Sequence, residues 1–432
     1  MIERTANNKT ILEPAREVDV FEEADVIVVG GGPGGVSAAI SAAREGADTV
    51  LVERYGHLGG MSTGGLVLML TEFPPGQCNE WLDRLNAVGG ARVLTPIQGP
   101  RGQGVTMVDP ELLKCVLNTM VDESGAKLLL HSWGTRAIAD NNRVQGVVFE
   151  SKSGRKAILG KVIIDATGDG DIFASAGAEF DGTVNHSLRS SQLAVVFRIA
   201  NVDFDKFAEF RAANPQKWLA MRDEVDGVAG FHIGPLATSR NDVVWVNNFI
   251  EGLDAINVRD LTKVEVLIRK SMIPITEYMR GKVPGFEDCF LFDSAPQIGT
   301  RGSRRLIGKH IMTQQEIVSG VTHNDPVAIF SHGAPSGTDA KEKAANNVEL
   351  SYRCLVPASM EGLLVAGRCF SSDPVANTRF NVIPPCIMMG QAAGTAAALA
   401  VKSKVNPEDV DYSKLHERLS AQGVTLPEIR SS

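Results

Sequence analysis

A glycine-rich segment lies near the N-terminus, and an acidic residue follows it at a characteristic distance. Gly30, Gly32 and Gly35 form a GxGxxG pattern, and Glu53 stands 21 positions after Gly32. In such a turn the first glycine allows a tight bend, the second lets a pyrophosphate approach, and the third permits close helix–strand contact. Glu53 would accept hydrogen bonds from ribose hydroxyls and repel a 2′-phosphate. These residues therefore predict a dinucleotide site and disfavour NADP.

A second glycine-rich loop follows directly. Eleven of the 43 glycines in the chain fall within residues 30–65, and residues 54–65 form the second part of that window. A pure NAD dehydrogenase would normally continue here with another regular βα unit. A glycine-rich loop instead suits a long cofactor whose ribityl and pyrophosphate arms need contact with the backbone.

An arginine cluster supplies one set of candidates for substrate chemistry. The guanidinium groups of Arg301, Arg304 and Arg305 could clamp a carboxylate or a phosphate, because such groups bind these anions in a bidentate manner. The alternative is that they form inter-domain ion pairs with acids such as Glu316 or Asp325. The sequence leaves both interpretations open.

Two histidines supply the candidates for general acid–base catalysis. His232 and His332 are predicted to lie in loops that contain glycine and proline, where active-site residues often occur. Each could act as a general base, and a solvated loop histidine is the alternative in both cases. The spacing of histidines, cysteines and acids predicts neither a metal site nor a Ser-His-Asp triad.

The composition excludes several classes of partner. The formal net charge of −8 gives no long-range attraction to nucleic acids or anionic lipids. The N-terminal residues lack the apolar segment of a signal peptide, and the apolar stretches fall short of the ~20 residues that cross a bilayer. Six dispersed cysteines without a CxxC pair indicate free thiols in a reducing compartment. We therefore expect a cytoplasmic protein that binds neither nucleic acid nor membrane.

Hydrophobic patterning places these residues on specific elements. Short apolar runs at 25–29 and 49–52 predict buried parallel strands on either side of a small-residue helix at 36–45, with Gly46 as its C-cap. The predicted strands at 135–139 and 144–150 are joined by a turn, and a second turn at 153–154 follows them. This pattern predicts a β-meander. The further predicted strands cover residues 135–139, 144–150, 162–165, 191–199, 242–249 and 362–368, and the further predicted helices cover residues 204–225, 258–279 and 386–401.

Five stretches carry a family resemblance that spans roughly residues 23–401. They read EADVIVVGGGPGG, LGGMSTGGL, IIDATGDGD, RGSRRLIGKHIMT and LLVAGRCFSS…RFNVIPPCIMMGQAAGTAAALA. On these motifs the chain resembles the FAD-dependent oxidoreductase family with a fumarate-reductase-like, two-domain flavoprotein fold. The resemblance implies FAD as the cofactor, held covalently or non-covalently, and redox chemistry at the flavin N5. It does not imply a substrate.

The pattern and the resemblance together predict the residues of the site. The resemblance places Arg379 near the isoalloxazine ring, in contact with flavin or substrate. His57 lies in the loop where similar flavoproteins can hold FAD covalently, but it lacks the Ser/Thr pattern that accompanies this linkage. The predicted FAD-binding residues are Gly30, Gly32, Pro33, Gly34, Gly35, Glu53, Arg54, Gly59, Gly60, Met61, Ser62, Thr63, Ala166, Thr167, Gly168, Asp169, Gly367, Arg368, Asn381 and Pro384.

The predicted fold class is α/β. A Rossmann-like FAD-binding domain, with a parallel sheet plus a β-meander, would carry an inserted α+β substrate domain. The predicted segments are an N-terminal extension at 1–22, the first part of the FAD-binding domain at 23–181, the substrate domain at 182–350, the C-terminal part of the FAD-binding domain at 351–415, and a C-terminal tail at 416–432.

The predicted function is hydride transfer between a small polar metabolite, anionic if the arginines hold it, and flavin N5. The enzyme would act as a dehydrogenase or oxidase, with His332, His232, Arg379 and Arg301 as the catalytic candidates. The alternatives are reduction of an activated double bond, an electron-transfer subunit of a larger redox complex, and a plain NAD-dependent dehydrogenase. The sequence does not specify the electron acceptor, and a chain of this size could form a homo-oligomer.

Overall fold

The buried apolar runs assemble into a seven-stranded sheet in a computed structural model that describes residues 15–70, 72–99, 105–330, 345 and 347–429, and the backbone of 2–5 and 8–11. Two short paired strands, β1 (Ile2–Thr5) and β2 (Asn8–Ile11), precede the sheet. The strands of the large sheet are β3 (Val20–Val29), β4 (Thr49–Val52), β8 (Lys127–Leu129), β9 (Trp133–Asp140), β10 (Arg143–Ser151), β11 (Gly154–Asp165) and β22 (Leu363–Val365).

The sheet confirms the predicted fold class. Strands β8, β4, β3 and β11 lie side by side in that order, and β22 also pairs with β11. These pairings are all parallel, and β4, β22 and the last four residues of β3 are buried, as expected for strands covered on both faces. The first half of β11 pairs antiparallel with β10, and β10 pairs antiparallel with β9. These three strands form the predicted meander.

Helices pack against the sheet, and α1 (Pro33–Arg44) and α4 (Asp171–Ala176) begin shortly after the carboxyl ends of β3 and β11. The helices of this part of the chain are α1 (Pro33–Arg44), α2 (Gln77–Ala87), α3 (Pro110–Ser124), α4 (Asp171–Ala176), α8 (Gln314–Ser319), α9 (Pro374–Phe380), α10 (Ile383–Ser403) and α11 (Tyr412–Ala421). The α11 helix begins before the predicted tail boundary at 416, and its Leu415 and Leu419 are buried.

The expectation about apolar length needs a correction at α10. This helix has 21 residues and is, by length and composition, long and apolar enough to cross a membrane. However, 94% of its apolar window is buried inside the protein, where it packs mainly against α1. A core helix passes the same test of length and composition as a membrane span, so here the apolar character serves the core.

Four smaller sheets connect the elements. The strands β5 (Met69–Leu70), β6 (Ala91–Val93) and β7 (Thr106–Val108) form one sheet in the order β5-β7-β6. The remaining antiparallel pairs are β12 (Phe180–Asp181) with β19 (Arg305–Leu306), β13 (Leu193–Ala194) with β18 (Gly299–Thr300), and β20 (Pro326–Phe330) with β21 (Val348–Ser351).

The middle of the chain builds an α+β unit with its own core. Its four-stranded antiparallel sheet has the order β15-β16-β14-β17. The elements are β14 (Phe197–Ala200), α5 (Phe204–Ala213), α6 (Pro215–Ala229), β15 (His232–Ala237), β16 (Val243–Phe249), α7 (Val258–Lys282) and β17 (Phe290–Ser294). Its core also takes Leu66, Leu94 and Met107 from before the insertion, while Met312 and Phe330 pack into the core of the large sheet. The domain boundaries at 182 and 350 stay a prediction.

Two predicted elements of this unit are each divided in two. The helix expected at 204–225 breaks at Asn214, because Pro215 begins a new helix there and can supply no backbone N–H. The strand expected at 191–199 is interrupted at Val195, whose N–H and C=O bond to the side-chain amide of Asn248 instead of to a strand. That interruption separates β13 from β14.

Candidate active site

The glycines of the first turn occupy three different environments. Gly30 has φ +103°, and a Cβ at Gly35 would lie 1.7 Å from the carbonyl oxygen of Gly30. A side chain at Gly35 is therefore incompatible with the contact between β3 and α1. A Cβ at Gly32 would meet nothing within 4 Å, because this residue faces open space at the N-terminus of α1. Each glycine thus stands where its predicted role needs it.

Glu53 ends β4 and fixes the glycine turn beside it. Its Oε2 accepts a hydrogen bond of 2.5 Å from the backbone N–H of Gly31, and its Oε1 accepts one of 2.7 Å from that of Tyr55. The side chain is buried, and burial raises the pKa of its carboxyl above the usual range, although these hydrogen bonds and Arg54 act in the opposite direction. A carboxylate has about four lone-pair positions, so it can also accept from a ligand hydroxyl.

An elongated cavity of about 820 Å³, part of it open to solvent, runs along the carboxyl edge of the sheet. Of the predicted residues, those that line it are Gly30, Gly32, Pro33, Gly34, Glu53, Arg54, Gly60, Met61, Ala166, Thr167, Gly168, Gly367, Arg368 and Asn381. Of the predicted residues, those that are not part of its lining are Gly35, Gly59, Ser62, Thr63, Asp169 and Pro384.

The predicted residues outside the lining support the loops from behind. Ser62 donates a hydrogen bond from its Oγ to the Gly59 carbonyl, and Thr63 donates one to the Leu58 carbonyl. Both side chains are buried. These hydroxyls therefore shape the second glycine loop rather than face the cavity.

Asp169 also supports the cavity without lining it. Its carboxylate forms an ion pair of 2.8 Å with Arg368 and accepts a hydrogen bond of 2.6 Å from the hydroxyl of Ser303. Burial acts to raise the pKa of this carboxyl, but Arg368 and Ser303 together hold it below its usual range. Asp169 thus keeps Arg368, which does line the cavity, in place beside Gly168, where a Cβ would lie 2.8 Å from the guanidinium carbon.

Sequence reasoning missed one wall of the cavity. Ser132, Trp133 and Gly134 line it at the start of β9, and the backbone N–H of Ser132 donates to the Glu53 carbonyl. These residues follow β8, a three-residue strand that the apolar pattern did not reveal. Had β8 been recognised, its carboxyl end would have indicated this position. The other cavity residues that were not predicted are Val29, Val52, Tyr55, Asp171, Gln297, Ala366, Val382, Ile383 and Cys386.

The far end of the cavity meets the N-terminus of α10. Val382, Ile383 and Cys386 line it there, and burial raises the pKa of the Cys386 thiol to about 12, so this thiol is neutral at physiological pH. Within the described helices α1 and α10, neither first turn carries an acidic residue. Two positive helix ends therefore face one cavity, an arrangement that favours negative charge.

Two arginines, Arg189 and Arg301, lie outside the lining of the cavity and contact Asn381, which belongs to it. The side chain of Arg189 donates hydrogen bonds to the Thr378 carbonyl and, at 2.7 Å, to Asn381 Oδ1. Asn381 in turn donates to the backbone carbonyl of Arg301 at 2.6 Å. The Arg301 guanidinium carbon lies 4.4 Å from the centre of the Phe249 ring. Asn381, a cavity residue, thus connects both arginines to the cavity.

The rest of the arginine cluster forms ion pairs, but not with the acids expected. Arg304 pairs with Asp171 at 3.0 Å, and Arg305 pairs with Asp181 at 2.5 Å. The proposed partners Glu316 and Asp325 were wrong. Glu316 lies beside His310, and Asp325 contacts Arg353 and Ser351. These ion pairs could not be predicted from the sequence, because the fold brings together residues that are distant in the chain, as in the pairing of β12 with β19.

Comparison with known proteins decides the family. Residues 25–419 match the family described as FAD dependent oxidoreductase. The chain belongs to this family. FAD is therefore its cofactor, and the protein is an FAD-dependent oxidoreductase.

The flavoprotein has curated relatives of moderate similarity. It is 28% identical over 176 residues to thiamine thiazole synthase of Methanococcus vannielii, a match that covers 38% of this chain and 64% of that protein. It is 26% identical over 252 residues to digeranylgeranylglycerophospholipid reductase of Thermoplasma acidophilum, covering 54% of this chain and 60% of that protein. The chain thus spans less than two thirds of the length of either relative. A solved geranylgeranyl bacteriochlorophyll reductase-like protein of Thermoplasma acidophilum is 15% identical with a TM-score of 0.48, covering 93% of this chain and 84% of that one.

The cavity of the flavoprotein fits FAD on three observations. Gly32 leaves room for a pyrophosphate against the backbone. The N-termini of α1 and α10 both face the cavity. Gln297 lines the cavity, and its buried Oε1 has no hydrogen-bond partner among the described residues. A buried acceptor of this kind is costly unless a ligand donor reaches it.

The catalytic candidates that the structure describes lie outside the lining of the cavity. The prediction that His232 lies in a loop is wrong, because this residue begins β15 and pairs with Phe249 of β16. His232 is half exposed, its Nδ1 lies 2.7 Å from Asp226 Oδ2, and its ring stacks on Phe249. Arg301 contacts the same Phe249 ring, so both candidates share one aromatic neighbour. Arg379 is buried in α9. His332 lies outside the described residues.

His57 has no place in the lining of the cavity. Its ring stacks on Tyr55 with 5.5 Å between centroids, and its Nε2 is a buried atom without a described partner. Burial lowers the pKa of the imidazole, aided by Lys114. The covalent attachment considered for His57 stays untested.

Proposed function

We propose that this flavoprotein is a dehydrogenase or oxidase of a small anionic metabolite, with transfer of a hydride to the flavin. The observation that carries the proposal is that the Arg189 guanidinium donates to the cavity residue Asn381, and that Asn381 donates to the backbone carbonyl of Arg301, whose guanidinium lies over the Phe249 ring. Guanidinium groups bind carboxylate and phosphate in a bidentate manner. The pair therefore supports an anionic substrate.

The electrostatics of the pair support the same conclusion. Burial lowers the pKa of Arg189 to about 10. Burial, with a contribution from the nearby charge of Arg189, lowers the pKa of Arg301 well below its usual value. No carboxylate in the described part of the chain pairs with either group. Two desolvated positive charges near one another destabilise the protein unless an anion offsets them, and contact with the Phe249 ring offsets only part of the cost.

When bound, FAD supplies the acceptor for a hydride, and the protein supplies orientation and electrostatics. Arg189 and Arg301 would hold the anionic end of the substrate. Oxidation of a C–H bond beside a hydroxyl or an amine also needs a base for the proton. We assign this role to His232, because Asp226 accepts from its Nδ1 and so leaves Nε2 free to take a proton. His332 is the other candidate.

Reduction of an activated double bond is the second candidate function. It is supported by the similarity to proteins that are named reductases. The arginine pair suits this reaction as well, because an anionic group often activates the double bond beside it. An electron acceptor or donor is needed in either direction. We further propose that the protein works in the cytoplasm, on the grounds of its net charge and its dispersed cysteines.

Anaerobic mixing tests the substrate class. The purified yellow holoprotein is mixed with small hydroxy- and amino-carboxylates and with phosphorylated alcohols. The matched controls are the corresponding neutral amides and unphosphorylated alcohols. We expect loss of the oxidised flavin absorbance with an anionic compound and not with its neutral counterpart. Bleaching by the neutral compounds alone would contradict the proposal. Flavin that is reduced only by a nicotinamide nucleotide, and then reoxidised by an unsaturated acid, would establish the second candidate instead.

A further inference from the structure

Two histidines and a glutamate converge away from the FAD cavity. His310 follows β19, Glu316 lies in the first turn of α8, and His323 follows that helix. One ligand atom from each lies within 4.8 Å of the others. The Nε2 of His310 is 2.9 Å from Oε1 of Glu316, and the two imidazole rings have their centroids 5.0 Å apart. All three side chains are partly buried.

Glu316 is held with one carboxylate oxygen directed at the histidines. Its Oε2 accepts hydrogen bonds from the backbone N–H and the hydroxyl of Thr313, at 2.8 and 3.2 Å. The bond from the Thr313 N–H and the return bond from the Glu316 N–H to Thr313 Oγ1 form the capping box of α8. They leave Oε1 for a different partner. Outer partners that orient a ligating carboxylate in this way are a regular feature of metal sites.

The backbones of the two histidines are fixed as well. The N–H of His310 donates to the Arg353 carbonyl at 3.3 Å, and the N–H of His323 donates to Oε2 of Glu349 at 2.8 Å. The Nε2 of His310 is shielded from solvent. Although Oε1 of Glu316 is close, no described group forms a hydrogen bond with this nitrogen. The nitrogen and this oxygen thus lie 2.9 Å apart, close enough for an ion pair, but without the alignment of a hydrogen bond.

We propose that His310, Glu316 and His323 bind a zinc ion. Two imidazole nitrogens and one carboxylate oxygen form a donor set that zinc accepts, whereas calcium and magnesium prefer oxygen donors throughout. With metal–ligand distances near 2.0–2.2 Å, the donor atoms of a tetrahedral site lie roughly 3.3–3.6 Å apart. To reach this, His310 Nε2 and Glu316 Oε1 would move slightly apart from 2.9 Å, and any separation close to the 4.8 Å limit would shorten. Water would take the fourth position.

The site would act as a structural cross-link. None of its three residues lines the FAD cavity. However, the next residue after Thr313 connects it to the cavity wall, because Gln314 donates its N–H to Asp373 at 2.6 Å. Asp373 is the N-cap of α9, the helix that ends just before Asn381. Zinc would hold the segment 310–323 together and steady α9 from behind.

Calorimetric titration of the metal-stripped holoprotein with zinc chloride tests the proposal. Glu316→Gln removes the anionic ligand and keeps a residue that can form the capping box. His310→Asn removes an imidazole, and His186→Asn removes an exposed histidine elsewhere as the control. Flavin absorbance reports whether each variant retains its fold. A parallel titration with magnesium chloride tests selectivity.

We expect one zinc per chain in the wild type and in His186→Asn, with a higher melting temperature. In Glu316→Gln and His310→Asn the affinity should fall by at least the roughly 10- to 100-fold that loss of an outer partner costs. Absence of zinc binding by the wild type would overturn the proposal. Unchanged zinc affinity in both folded variants would overturn it equally, and so would magnesium binding as tight as zinc binding.

Discussion

At the scale of single residues, Glu53 shows how one carboxylate serves both the protein and its cofactor. It accepts hydrogen bonds from the backbone of Gly31 and Tyr55, and it lines the FAD cavity. Glu53→Gln replaces one acceptor oxygen by an N–H₂ group that faces a backbone N–H. We expect FAD affinity to fall by about 1–3 kcal/mol, the cost of hydrogen bonds to a charged group. Titration of the apoprotein with FAD by fluorescence measures this.

Glu80→Gln is the matched control for that prediction. Glu80 pairs with Arg44 on the outside of the helices and does not line the cavity. Its replacement should leave FAD affinity unchanged. Equal affinities for FAD in the wild type and Glu53→Gln would show that the carboxylate does not hold the ribose.

His232 yields a second prediction at this scale. If it is the base, His232→Asn should lower kcat by roughly 10²–10⁴-fold while the flavin spectrum stays normal. Asp226→Asn should cause a smaller loss, because it disturbs only the orientation of the imidazole. Steady-state kinetics with an identified substrate measure both, with His186→Asn as the control. A His232→Asn enzyme with full kcat would move the role to another residue.

Some residue roles could be predicted from the sequence, and others could not. The glycine turn could be predicted because each position has a steric requirement that only glycine meets, as Gly35 shows at 1.7 Å. Arg189 could not, because its significance comes from Asn381, which is 192 positions away. Asp169 was assigned to the cofactor on its motif, although its carboxylate faces Arg368.

At the scale of elements, the crossing of α1 and α10 sets the shape of the cavity. A Cβ at Gly394 would lie 2.1 Å from the Ala38 carbonyl oxygen, so a side chain there forces the helices apart. We expect Gly394→Ala to lower the free energy of unfolding by about 1–3 kcal/mol, as overpacking does. Thermal melting and FAD affinity should both decline.

Gly227→Ala offers the same substitution with the opposite expectation. Gly227 lies inside α6, and a Cβ there meets nothing within 4 Å. Alanine should stabilise this helix by roughly 0.5–1 kcal/mol. If both variants changed stability in the same direction, the explanation from the α1–α10 contact would be contradicted.

A prediction about pH concerns the junction of β11 and α4. Asp165 ends the strand, and its carboxylate accepts hydrogen bonds from the backbone of Ile172 and Phe173 in the first turn of the helix. Burial raises the pKa of this carboxyl from 3.8 to about 6. Between these values the folded state keeps a proton that the unfolded state has lost. The free energy of unfolding should therefore fall as pH rises through this window, by up to about 3 kcal/mol.

Urea unfolding of the apoprotein at several pH values measures this effect. Asp165→Asn has no titrating group at this position, so the part of the pH dependence that comes from Asp165 should disappear. The variant loses an acceptor for one of the backbone N–H groups and should be less stable overall. An identical pH profile in the two proteins would contradict the raised pKa of Asp165.

At the scale of the whole molecule, the buried apolar side chains divide between two regions of the fold. One lies around the large sheet and the other fills the α+β unit in the middle of the chain. The α/β class and the meander could be predicted, because short apolar runs such as Thr49–Val52 are typical of buried strands. The division of the middle region was not, since Leu66 and Met107 reach the second core through contacts that no local pattern encodes. The helix α8 was not predicted from the sequence either.

The reductive half-reaction of Arg301→Gln tests the central claim most directly. Wild type, Arg301→Gln and the exposed-site control Arg240→Gln are each mixed anaerobically with the anionic metabolite that bleaches the flavin. We expect all three to retain FAD, and only Arg301→Gln to need a roughly 10- to 150-fold higher substrate concentration, the equivalent of about 1.5–3 kcal/mol for a charge-assisted hydrogen bond. Bleaching of Arg301→Gln at the wild-type concentration would contradict the claim that this flavoprotein holds an anionic substrate through Arg189 and Arg301.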